Sequence, residues 1–278
     1  MQSCPSQAET AVGHHPQRDG KEQMRSHDIA EILEHNREPL RQLKRSLRIS
    51  AGQFSVVLVR CDYQRLQQIL IGDLQQRMDG VQEVRLTSDT AGVVSAIRHH
   101  LHQAETPPTA LMVTQLWALP NLNQSLKDAN LARDQLRDLL DCPLVFWLSD
   151  RVVRLVSRYA QDFKNQATPT IAFSYPPGEL MCSLHRGANQ IFRQVLDLGS
   201  DRFLPDSALD LQSGSQLRNE LDAALRDVGD EISQDADLQA SFRFLQGRDA
   251  HSRIEEMASA KAYYEQSLEH WVENSKLT

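Results

Sequence analysis

The sequence predicts an α/β protein: a doubly wound, mostly parallel sheet of five strands with an N-terminal helix and a helical C-terminal extension. Three observations predict it. Short β-branched and aliphatic runs alternate with stretches of helical periodicity from residue 54 to residue 173. The first of them, Phe54–Arg60, is a short β-branched run of the kind that forms a strand buried on both faces. Beyond residue 216 the runs stop and only helical spacing remains.

Residues 1–25 carry Ser, Gln, Pro, Gly, paired histidines and scattered charge with almost no large apolar side chains, which predicts a disordered tail. After Ser26, Ile29, Ile32, Leu33, Leu40, Leu43 and Leu47 share one side of a helical lattice, with a break expected near Asn36 and Pro39. Phe54–Arg60 reads as the first strand and Tyr63–Met78 as its helix, apolar at Leu66, Ile69, Leu70 and Leu74. The unit repeats as Val81–Leu86 with Thr90–Gln103, Ala110–Leu116 with Gln124–Leu140, and Leu144–Leu148 with Asp150–Phe163, before a last strand at Thr170–Phe173. Strands joined through helices imply parallel pairing.

Tyr175-Pro176-Pro177-Gly178 then breaks the chain, and Glu179–Leu198 is helical, with Gly199 as a natural C-cap. Residues 200–216, rich in Ser, Asp and Gly, read as a linker between a body of residues 26–199 and a helical unit of residues 217–278. That unit comprises Leu217–Val228, Leu238–Leu245 and Ile254–Val272, punctuated by Gly229 and Gly247.

Forty per cent hydrophobic and 24% charged residues over 278 positions is the balance of a globular chain long enough for a sizeable core. The net charge of −7 argues against a general binder of nucleic acid or anionic membranes, both of which reward clustered Lys and Arg. No apolar run approaches the ~20 residues of a membrane span, and the first 25 residues lack the apolar centre of a secretory signal, so the cytoplasm is expected. Cys4, Cys61, Cys142 and Cys182 are widely spaced and read as reduced thiols in or near the core. His99 and His102 share a helix face beside His100, but no further ligand lies near them, so a solvated helix end is expected and no metal.

The stretches SAGQFSVVLVRCDYQRLQQIL, PTALMVTQL and NLARDQLRDLLDCPLVFWLSDRVVRLVSRYAQDF resemble the nucleotide-binding region of bacterial STAND-type proteins, especially cyanobacterial chains that place it before tetratricopeptide repeats. The resemblance spans residues 45–175 and implies a P-loop-like sheet acting as a signalling switch or scaffold rather than a metabolic enzyme. A P-loop, G-x-x-x-x-G-K-[ST], uses glycines so that backbone N–H groups approach the phosphates, a Lys for charge and a hydroxyl for Mg²⁺. Here the first strand runs into Arg60-Cys61-Asp62-Tyr63-Gln64-Arg65. The acidic hydrolytic position that the resemblance implies falls at Gln115 or its neighbours in Val113-Thr114-Gln115-Leu116, none of which is acidic. Gly13 and Gly20-Lys21 imitate a P-loop with the wrong spacing and with Glu22 in place of the hydroxyl. No nucleotide cofactor and no enzymatic activity are therefore expected.

Cys61, Asp62 and Arg65, at the C-terminal end of the first strand, mark where residual ligand contact would fall. Cys61 itself reads as an inert buried thiol, since no His is placed to activate it. Near the C-terminus, Gly247, Ala260, Tyr264 and Leu268 resemble a single TPR-like unit, too few for the ~3 repeats of a stable array. Those helices are expected to pack on the body or on a partner.

Arg37, Arg41, Arg45 and Arg48, joined by Lys44, form a basic stripe that is either a solvated face or a dock for an acidic protein surface; Arg151, Arg154 and Arg158 form a similar one. Tyr263, Tyr264, Leu268 and Trp271 read as core or as half of a protein interface. The expected function is a non-catalytic interaction or scaffold protein with a protein partner, a second copy included. A nucleotide-responsive switch that binds ATP through non-standard residues is the alternative. A nucleic-acid binder using residues 37–48 is the third reading.

Overall fold

The computed structural model describes residues 26–197, 205–212, 214–228, 235–251 and 256–275. The expected tail, the Gly13 and Gly20-Lys21 decoy, Cys4, Gly199 and Gly229 lie outside the described residues.

The strands are β1 (Ser55–Arg60), β2 (Val81–Arg85), β3 (Ala110–Thr114), β4 (Pro143–Leu148) and β5 (Ile171–Ala172). They form one sheet in the order β2-β3-β4-β1-β5, and every pairing is parallel. Side chains alternate between two cores, as the two-residue period of a strand requires. Val57, Val59, Met112, Val145, Trp147 and Ile171 face one side; Val56, Leu58, Leu111, Val113, Leu144 and Phe146 face the other.

The first face is covered by α1 (Ser26–His35), α2 (Arg37–Ile49), α3 (Gln64–Arg77), α9 (Pro177–Asp197) and α10 (Gln216–Val228), with α11 (Ala236–His251) adding Leu238. The second is covered by α4 (Val93–Gln103), α5 (Leu122–Leu131), α6 (Arg133–Leu139), α7 (Asp150–Tyr159) and α8 (Gln161–Gln166). This division follows from crossover handedness. The link from β1 to β2 runs outward along the sheet and the later links run back, so right-handed crossovers put α3 opposite α4 to α8.

The break between α1 and α2 falls at Asn36, as expected, and Asn36 is 1% exposed. Its amide donates to the carbonyls of Ile32 (2.9 Å) and Ser174 (2.8 Å) and accepts from the Ser174 N–H (3.1 Å). One side chain thus ends a helix and ties the helix pair to the segment after β5. Pro39 lies in the first turn of α2, where its missing N–H costs nothing.

The structure corrects several expectations. The helix over residues 124–140 is two helices broken at Ala132, and that over 150–163 is broken at Ala160. The second break lets Phe163 pack edge-on against Phe146, and the side chain of Asn130 accepts the Phe163 N–H that it frees (3.1 Å). The third strand ends at Thr114, because Gln115 takes a left-handed φ of 59° and starts a 3-10 turn at Leu116–Ala118. The described part of the expected linker is packed: Leu209 and Leu211 are buried in the same core as α10. Gly247 does not punctuate but lies inside α11, where a Cβ would stand 2.7 Å from the Tyr264 ring of α12 (Met257–Ser275). Cys61 and Cys142 are buried, whereas Cys182 is exposed, since α9 turns Leu180, Leu184 and Ile191 inward instead.

Candidate functional site

Doubly wound sheets hold ligands at the C-terminal strand ends, where neighbouring strands send their connections to opposite faces. In this sheet the neighbours are β1, which leaves through α3, and β4, which leaves through α7. The link from β1 to α3 is only Cys61-Asp62-Tyr63, and the link from β4 to α7 is Ser149 alone. Both links are shorter than the G-x-x-x-x-G-K-[ST] loop.

Both helix starts are already occupied by the chain's own side chains. Asp62 Oδ1 accepts the Asp150 N–H at the start of α7 (2.7 Å), and Ser149 caps the same helix through Val152 N–H (3.4 Å). At the start of α3, Glu220 Oε1 accepts the Gln64 N–H (2.7 Å) and also the Gln216 side-chain amide of its own helix. The Tyr63 hydroxyl donates to Asp227 Oδ2 (2.7 Å). Asp150 gathers Arg60 and Arg226, each at 3.8 Å, and pairs with Arg154. Thus α10 sends Glu220, Arg226 and Asp227 across the strand ends.

Burial dominates the electrostatics of this edge. Burial pushes the Cys61 thiol far above its ordinary value, and its Sγ lies 3.5 Å from the Tyr63 carbonyl. Burial, then the bond to Asp227, raises Tyr63 likewise. Burial raises Asp62 and Glu220, in each case against the backbone N–H it accepts. At the end of β3, Thr114 donates to Glu83 of β2 (2.7 Å), so the carboxylate near this strand end comes from its neighbour, and Gln115 supplies none. Among the described residues no group of three or more His, Cys, Asp or Glu side chains is arranged to hold a metal. His100 is bonded to Gln82 (2.8 Å).

Of the residues the sequence singled out, Cys61 and Asp62 lie at this edge. Half-buried Arg65 instead lines a small cavity of about 190 Å³ between α3, α9 and α10, with Ser183, Arg186 and Glu220. Sequence reasoning missed Asp150, Glu220, Arg226 and Asp227. The available signal was that Glu220 and Asp227, one heptad apart, interrupt the buried face of Leu217, Leu221 and Ala224.

Arg37, Arg41, Arg45 and Arg48 are exposed on α2. Arg37 and Arg41 make surface pairs with Glu34 and Glu38, whereas Lys44 and Arg77 converge on Asp73 at 2.7 and 2.6 Å. On the other stripe, Arg151 is exposed and Arg158 lies over the Tyr159 ring. On α12, Tyr264 is committed to Gly247 and Phe244 of α11, Tyr263 lies under Arg243, and Trp271 meets His270 edge-on. Leu268 is 62% exposed.

No family model and no curated protein matches the chain. Among solved structures, the S. cerevisiae Hsp104-ADP complex covers 90% of this chain at 16% identity, with a TM-score of 0.32. The match takes in 41% of that chain, and so loose a superposition carries no argument about activity. Among the described residues no helix is long and apolar enough to cross a membrane.

Proposed function

We propose that this chain is a non-catalytic interaction or scaffold protein, working in the cytoplasm, built on a P-loop-like α/β domain closed to nucleotide by its own side chains. The observation that carries the reading is the bond from the Gln64 N–H to Glu220. A helix start at a strand end attracts anions because its N–H groups are free and its dipole is positive. Here an internal carboxylate takes that place. A phosphate would have to displace Glu220 and meet three side chains where a P-loop offers glycine backbone.

The alternative, a nucleotide-responsive switch, draws on Arg65 and Arg186 beside Glu220. Their cavity of about 190 Å³ is below the ~300 Å³ at which small-molecule sites begin. Thermal melts with millimolar ATP, GTP or ADP, with and without Mg²⁺, separate the readings. The scaffold reading expects no shift. Ligand at a hundred times its Kd stabilises by ~2.7 kcal/mol, roughly 5–10 °C in Tm. A rise of that size would establish the switch.

A further inference from the structure

Two exposed helix faces carry complementary patterns. On α2, Arg37, Arg41, Arg45 and Arg48 recur along one side above a groove floored by Leu33 and Leu40. Ile49, 71% exposed, closes its end. On α12, Glu265, Glu269 and Glu273 recur at four-residue spacing beside Met257, Leu268 and Val272. These three apolar side chains are 49%, 62% and 42% exposed. Four of the seven exposed large apolar side chains among the described residues therefore lie on these two faces.

We infer that α12 of a second copy of this chain docks along the α2 groove, its acidic row against the arginine row and Leu268 and Val272 over the apolar floor. The inference rests on the scaffold reading and names its partner. At 1.5 Å per helical residue the arginine row is ~16 Å long and the glutamate row ~12 Å, so the charges can meet over two turns. Arg45 and Arg48, and equally Glu269 and Glu273, have no ion-pair partner among the described residues. In a chain of net charge −7 the arginine row is a local exception, and this chain's own last helix carries a matching pattern. Each copy offers one α2 and one α12, so a reciprocal pair of contacts closes a two-fold dimer, whereas a single contact per pair continues into rings or chains. Exposed charge rows make it sensitive to salt, since the Debye length falls from ~10 Å at 0.1 M to ~3 Å at 1 M.

Sedimentation velocity of the full chain, with circular dichroism to verify folding, tests the inference. At low salt the wild type should rise in mass with concentration and return to monomer near ~1 M salt. The pair R41E/R45E should be monomeric, and E265R/E269R likewise. Mixing the two variants, or combining all four changes in one chain, should restore association, because opposite charges then face each other again. A wild type that stays monomeric at low salt would overturn the inference, as would variants that associate undiminished, or a four-change chain that folds but does not associate. The nucleotide melts are read separately: a monomer that ignores ATP removes the docking pair and leaves the scaffold reading standing.

Discussion

The Gln64 N–H and the Glu220 carboxylate meet at 2.7 Å although 156 residues separate them in the chain. Gln64 opens the helix after the first strand, and its own N-terminal neighbour, Tyr63, provides no side-chain cap. An uncapped start buried beneath another helix would strand a donor, so α10 supplies the acceptor. The residue that closes the edge is also a structural cap.

That dual role separates two substitutions. Glu220→Ala removes the acceptor and should cost about 1–2 kcal/mol, a fall of roughly 2–8 °C in Tm. Glu220→Gln keeps an oxygen that can accept and should melt near the wild type. Thermal unfolding followed by circular dichroism reads both.

The same residue should leave a mark on the pH dependence. Burial raises the Glu220 carboxyl above its ordinary 4.5, more than the Gln64 N–H and the Gln216 amide lower it. The folded chain then holds the proton more tightly than the unfolded one. Glu220 therefore adds stability as pH falls through its raised value towards 4.5, and that gain disappears as pH rises again. Urea midpoints measured from pH 8 down to pH 5 should show the wild type gaining on Glu220→Gln as acid is added.

Gly247 offers a test by sign. Gly to Ala inside a helix ordinarily gains about 0.5–1 kcal/mol. At Gly247 the new Cβ would lie 2.7 Å from the Tyr264 ring, so Gly247→Ala should instead cost about 1–3 kcal/mol. In a Tyr264→Ala background the same change should cost little, and the cycle measured by urea unfolding gives the coupling.

Asn36→Ala should be among the more damaging single changes outside the sheet. It removes both bonds to the backbone of Ser174, itself an exposed residue, at about 0.5–1.5 kcal/mol for each bond. Asn36→Asp should also destabilise, because a carboxylate can accept from Ser174 but cannot donate to the Ile32 and Ser174 carbonyls. Equilibrium unfolding of the two variants checks both.

Much of the fold was legible because strands buried on both faces must be apolar at every position, as in Val56–Val59 and Pro143–Leu148. The breaks at Ala132 and Ala160 were not, since neither carries Gly or Pro and each is set by what the following turn packs against. Gly247 misled because a glycine in a helical pattern usually marks an end, whereas here a ring from another helix requires it. That Cys61 and Asp62 lie at this strand end was legible from their place after the first apolar run. Glu220 and Asp227 were not, because their partners Gln64 and Tyr63 lie far away in sequence and only α10 brings them to the edge.

The central claim is that this sheet edge is closed to nucleotide by Glu220 and Asp62. Calorimetric titration of Mg²⁺-ATP into the full wild-type chain tests it most directly. The account predicts no saturable heat. Saturable binding that weakens on changing Cys61 or Asp62 would place the nucleotide at the end of β1 and contradict it.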